Sequence, residues 1–422
     1  MLNIRNYLLA ILFLSLIACG EDEIIDDVTP PDIQAFTFIT NDTYVHENQR
    51  KWVLVYDSEN VLLAEKELEN NKEIILEWET GENDLPLMIQ LITFNSSANS
   101  ESYTINAYTD LKPDVWHLNG SIQSDKPAKL GSNRVDLNDF DYNAFTYKHI
   151  QNLGNGHRAL GDDYFFIDQH YNPDIIWMSF FNPGEPPAYK LVENVSLNEN
   201  FSFTFSDFLQ MENYVEYEFP ESTVSDIMIT SNQPFYDGII PRFRMYHNTQ
   251  FDLSTSIRGY YPGDLFTKYE LSTYFLSDNN TESMLYRGAT PPDEFIRLEV
   301  SETIGNTSVH GFNSLVSADA DYMRHEWNHV ISVPGGISSF FYYNVFSPVS
   351  QNYDFTAPEL PEYITDLDSE FIDLNNLEFK STRFSKTDNL GGYDDFIHNQ
   401  FINPGEYHDF SLRLVKINSY QD

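Results

Sequence analysis

Only one cysteine, Cys19, occurs in the 422 residues. No intrachain disulfide can form, so stability has to come from packed apolar area, which a chain of this length can bury in two or three domains. Basic residues are scarce as well: 24 Lys and Arg stand against 65 Asp and Glu, a formal net charge of −41. Phosphate backbones are bound by clustered Lys and Arg that displace counterions, so this balance excludes nucleic acid as a partner and disfavours anionic lipid surfaces. It favours solubility and divalent cations instead. Long apolar runs are missing beyond residue 18. The run near the start, Tyr7 to Ala18, makes about 18 Å of helix, whereas a bilayer core needs roughly 20 residues. The G-x-S-x-G, P-loop and strand-borne G-x-G-x-x-G patterns are absent too, which removes the common serine-hydrolase, nucleotide and dinucleotide readings.

What is present is most specific at the N-terminus. Arg5 supplies a positive n-region, Tyr7 to Leu16 an apolar h-region, and Leu16-Ile17-Ala18-Cys19-Gly20 closes the segment. This pattern resembles the lipobox of bacterial lipoproteins. The resemblance implies cleavage between Ala18 and Cys19, with Cys19 carrying diacylglycerol and an N-acyl chain. Two or three acyl chains hold a protein to a membrane where a single one binds reversibly. Gly20-Glu21-Asp22-Glu23, followed by Asp26 and Asp27, resembles the acidic surface-export signal of Bacteroidota lipoproteins. That implies an outer-membrane anchor and an extracellular face. Residues 1–18 are accordingly expected to be a signal peptide and residues 19–34, with Thr29-Pro30-Pro31, a lipidated acidic stalk.

The remaining chain is 15% aromatic, with 32 Phe and 27 Tyr, enough to build a core. Short runs of β-branched and aromatic residues recur between Asn, Asp, Gly, Ser and Pro clusters, which predicts an all-β fold of tandem antiparallel β-sandwiches, immunoglobulin-like or jelly-roll-like. Trp52 to Tyr56 and Val61 to Ala64 flank Asp57-Ser58-Glu59-Asn60 as a hairpin. The expected units are a small sandwich over 35–111, a second over 112–233 and a third, of one or two sub-domains, over 234–422. The first is weakly similar to the immunoglobulin-like modules that follow the stalk of such lipoproteins.

One motif invites catalysis. His325-Glu326-Trp327-Asn328-His329 fits H-E-x-x-H, in which two histidines one helical turn apart bind zinc and the glutamate activates its water. Read as a strand, however, Met323, His325, Trp327, His329, Ile331 and Val333 share one face, and the two histidines lie about 13 Å apart. Pro334-Gly335-Gly336 would stop a helix, and Ser332 and Gly335 stand where the metzincin extension needs glycine and histidine. The strand reading is preferred, and zinc through His325, His329 and Glu326 is held as the lesser alternative. Asp139, Asp141 and Asn143 copy the first oxygen positions of a calcium loop, but Ala144 replaces the turn glycine and Ile150 the closing glutamate. No cofactor is expected, and calcium at these residues is held as a lesser alternative. Tyr260-Tyr261, before Pro262-Gly263, is expected in an exposed turn, where aromatic rings would stack on a sugar.

These readings converge on a lipid-anchored envelope protein that binds or displays, with a polysaccharide or an outer-membrane protein as partner. The alternatives are an exported hydrolase, zinc-dependent through the motif above or carboxylate-based as in glycosidases, and an accessory subunit of an outer-membrane barrel.

Overall fold

Period-two alternation broken by Asn, Asp, Gly and Pro clusters yields strands along the whole folded chain, and the protein is all-β, built from packed, mainly antiparallel sheets. The computed structural model describes residues 33–420 except 80–84, 98–99, 121–126, 140, 142–143, 154–157, 160–163, 233, 235–241, 252, 278, 333–337, 368–370 and 405–409. The signal segment 1–18, Cys19 and the stalk up to residue 32 lie outside the described residues. Strand structure begins at Ile33, two residues inside the expected stalk.

One sheet of twelve strands organises the molecule. In spatial order these are Arg244–Gln250, Val224–Ser231, Tyr269–Ser277, Asn280–Gly288, Leu412–Ser419, Glu378–Thr387, Tyr322–Ile331, Ser338–Ser347, Ser100–Leu111, Leu87–Ser96, Gln49–Tyr56 and Leu62–Glu67. Neighbours are antiparallel except Ser338–Ser347 and Ser100–Leu111, which run parallel. At that junction Asn344 stands opposite Asn106, and its Nδ2 donates to Asn106 Oδ1 at 3.1 Å.

The N-terminal residues, expected as one small sandwich over 35–111, form two packed layers. A three-stranded sheet, Glu73–Glu79, Ile33–Thr40 and Val115–Leu118, covers one face of the Gln49–Tyr56 end. Phe36, Phe38 and Trp116 pack there on Val53, Val55, Ile89 and Tyr108. Two corrections to its limits follow. Val115–Leu118 pairs in parallel with Ile33–Thr40, so the unit extends past Leu111-Lys112-Pro113 to Leu118. Its larger sheet also has a second buried face, because Trp52, Leu54, Tyr56, Ile92 and Ile105 point into the core shared with residues beyond 211. The expected limit at 233 is crossed as well: Val224–Ser231 pairs with both Arg244–Gln250 and Tyr269–Ser277.

A second sandwich occupies residues 131–210. Arg158–Ala159, Tyr164–Gln169, Gly131–Asn138 and Asn200–Thr204 form one sheet, and Leu209–Gln210, Ala188–Val195, Asp174–Phe181 and Tyr147–Asn152 the other. Val135, Leu137, Phe165, Ile176, Met178 and Phe180 fill the space between them. Asp174–Phe181 is buried along its whole length because its other face, Ile175, Trp177 and Phe181, packs on the twelve-stranded sheet. Burial on both faces removes the usual polar alternation.

Two smaller sheets complete the cover. Asn213–Ser222 and Ser254–Tyr261 lie over Val224–Ser231 so closely that a Cβ on Gly259 would stand 2.5 Å from Ile227 Cδ1. Val300–Asn306, Phe312–Ala318 and Asn352–Phe355 cover Tyr322–Ile331 and Glu378–Thr387, with Phe312, Trp327, Phe355 and Phe379 between. The stretch Phe295 to Glu299 is irregular, and regular pairing starts only at Val300.

Candidate functional site

The H-E-x-x-H segment lies on the strand Tyr322–Ile331. His325 and His329 are therefore about 13 Å apart along extended backbone and cannot share one ion, which corrects the helical zinc alternative. His325 is fully buried, stacked on Tyr353 at 4.7 Å and against Phe312 at 4.6 Å. Thr382 Oγ1 donates its proton to Glu302 Oε1 at 2.8 Å, so the 3.0 Å contact between His325 Nδ1 and Thr382 Oγ1 has Nδ1–H as donor. Nε2 is then unprotonated, buried and without a hydrogen-bond partner. Burial pushes the imidazole down to about 3. Glu302 Oε2 also accepts from Asn418 Nδ2 at 3.0 Å and Tyr420 OH at 2.9 Å, so the chain of bonds ties the last strand to a covering sheet. Glu326 points to the opposite face, where it accepts from Arg324 Nη2 at 2.8 Å. It cannot activate a water at His325.

The calcium fragment is only partly described. Asp139, at φ 52°, and Asp141 are exposed in the turn after Gly131–Asn138, and Asn143 lies outside the described residues. No three His, Cys, Asp or Glu side chains converge as a metal site among the described residues.

Tyr260 and Tyr261 end the strand Ser254–Tyr261 and do not sit in the turn that follows. Tyr260 is 4% exposed, with its hydroxyl 3.3 Å from the Gly184 carbonyl it donates to, so it is a packing residue and not an exposed stacking platform. Tyr261 is half-buried, and burial, then Asp293 and Asp264, push its phenol up.

Asp293 belongs to a broad cleft of about 830 Å³ between the strand Asn213–Ser222 and the irregular segment 293–297. Alternation on the strand turns Glu216 and Glu218 outward and Tyr217 and Phe219 inward. Tyr217 OH donates to the Pro292 carbonyl at 2.7 Å and pins the facing segment. Phe295 packs on Phe275 at 5.1 Å, giving the cleft an aromatic floor. Glu216, Glu218, Asp293 and Glu294 form an exposed rim, in which Arg258 Nη2 reaches Glu216 Oε2 at 2.7 Å. No family model matches the chain, and no curated protein matches it. The chemistry of the cleft has to be read from its own residues. Carboxylates accept hydrogen bonds from hydroxyls, and ring faces meet the C–H face of a sugar.

Sequence reasoning missed Phe295, Asp293 and Glu218 as a group. The signal available was Pro291-Pro292 followed by Asp293-Glu294-Phe295, an aromatic on a proline-fixed loop.

Proposed function

We propose that this protein is a lipid-anchored envelope protein, held by acylated Cys19 at the outer membrane with its folded part outward, which binds a neutral, hydroxyl-rich ligand such as a polysaccharide. The observation that carries the binding reading is the cleft in which Glu216, Glu218, Asp293 and Glu294 rim an aromatic floor containing Phe295. The lipid anchor rests on the sequence pattern around Cys19 alone. A net charge of −41 keeps such a display module soluble and repels polyanions from this acidic rim.

A glycan array probed with the full-length protein in detergent tests the reading, with Phe295→Ala and Asp293→Asn as comparators. Loss of one stacking ring and one charge-assisted acceptor is expected to weaken a neutral-glycan hit roughly tenfold each. Hits that both variants retain at full strength would place binding elsewhere. Cys19→Ser, which removes the acylation site, is expected to move the protein from the membrane to the soluble fraction, and unchanged fractionation would overturn the anchor.

A further inference from the structure

Against a composition of 65 acids and 24 bases, three arginines line one small cleft on the twelve-stranded sheet. Arg324, Arg383 and Arg413 come from the adjacent strands Tyr322–Ile331, Glu378–Thr387 and Leu412–Ser419. Arg324 and Arg383 are direct cross-strand partners. Like charges placed directly opposite on a sheet repel one another. Glu326 accepts from Arg324 Nη2 at 2.8 Å, yet Arg324 Nε remains buried without a hydrogen bond.

The cleft has an apolar wall. Phe396, from the helical segment that caps this end of the sheet, stacks on Tyr322 at 4.0 Å and 20°. Gln400 adds an amide at the rim. The volume, about 200 Å³, is below the roughly 300–1,000 Å³ of pockets that enclose drug-sized ligands. It suits one small anionic group beside the stacked, buried rings of Phe396 and Tyr322. All three bases are arginine, whose planar fork binds oxyanions through paired N–H groups as lysine does not.

We propose that this arginine cleft binds a small oxyanion group, a carboxylate or a sulfate. It stands apart from the acidic cleft and does not depend on neutral-glycan binding there. A ligand bearing both kinds of unit would engage both surfaces.

The test is calorimetry and thermal unfolding of the full-length protein in detergent with sodium glucuronate, sodium sulfate and glucose at matched ionic strength. An acidic probe is expected to bind and raise Tm, and glucose to do neither. Preference for glucuronate over sulfate assigns a carboxylate, and the reverse assigns a sulfate. Arg383→Gln removes one charge-assisted pair and is expected to weaken the acidic probe roughly ten- to hundredfold. Arg413→Gln carries the same binding expectation should the first variant not fold. Phe295→Ala, in the other cleft, should keep the full anion response. No response of the wild-type protein to either anion overturns the proposal, as does a response that both arginine variants retain.

Discussion

At the residue scale, His325 shows how burial decides what a motif does. Its ring is fully buried, its Nδ1–H is committed to Thr382, and burial holds the imidazole at about 3 against an ordinary 6.5. Between those values the unfolded chain binds a proton that the native state refuses. The stability from keeping the ring neutral is therefore complete above about pH 6.5 and is lost as the pH falls toward 3, in total roughly 5 kcal/mol. His325→Gln removes the titration, so its unfolding free energy in urea is expected to fall less steeply than that of the wild type between pH 7 and 4. Parallel slopes would assign the acid sensitivity to other groups. The alternation Met323, His325, Trp327 that argued for a strand is the alternation observed, because a period of two is written locally. Tyr260 was misread for the converse reason. Pro262-Gly263 does make the turn, with Gly263 at φ +61°, but whether the residue before a turn is covered depends on a distant element, here the Gly184 turn of another sandwich.

At the element scale, Asp174–Phe181 joins two cores. Trp177 faces the twelve-stranded sheet and donates from Nε1 to the Arg244 carbonyl at 3.0 Å, while Met178 faces the interior of the second sandwich. Met178→Ala opens a cavity costing about 2–5 kcal/mol. Amide exchange is expected to quicken in Gly131–Asn138 and Tyr164–Gln169, with Tyr269–Ser277 unaffected. Trp177→Phe keeps most of the ring and loses the hydrogen bond, so exchange should quicken in Arg244–Gln250 while Gly131–Asn138 stays protected. Identical patterns for the two variants would mean that the two faces are one cooperative core. Ile175 to Phe181 reads as a strand from sequence, and its unbroken apolar run implies burial on both sides. Which partners bury it is not written there, since a strand's period fixes its faces and leaves its neighbours open. The acidic cleft was illegible on the same ground: Glu218 and Asp293 are 75 positions apart in the chain and meet only because Tyr217 anchors the Pro292 loop.

At the scale of the whole molecule, chain order and spatial order part company. Ser338–Ser347 pairs along its length with Ser100–Leu111, so the N-terminal sandwich finishes a sheet whose other eight strands come from residues 224–419. Side chains reinforce the seam: Gln90 Nε2 donates to Tyr343 OH at 2.7 Å, Asn60 Nδ2 to the Thr356 carbonyl at 3.2 Å and Tyr363 OH to Glu65 Oε2 at 2.9 Å. A module that folds alone needs one buried face per sheet, and this one has two. Residues 33–118 made as an isolated fragment would expose Trp52, Leu54, Tyr56, Ile92 and Ile105, all at most 2% exposed in the full protein, together with the edge of Ser100–Leu111. An apolar face beside an open, unprotected strand edge is a template for self-association. The fragment is expected to aggregate or to lack a cooperative thermal transition by circular dichroism, the more so because its inner core of Phe36, Phe38 and Trp116 loses Phe401, which stacks on Trp116 at 4.0 Å. A monomeric fragment that melts cooperatively would mean that this core suffices and that the shared sheet is an interface between independent domains.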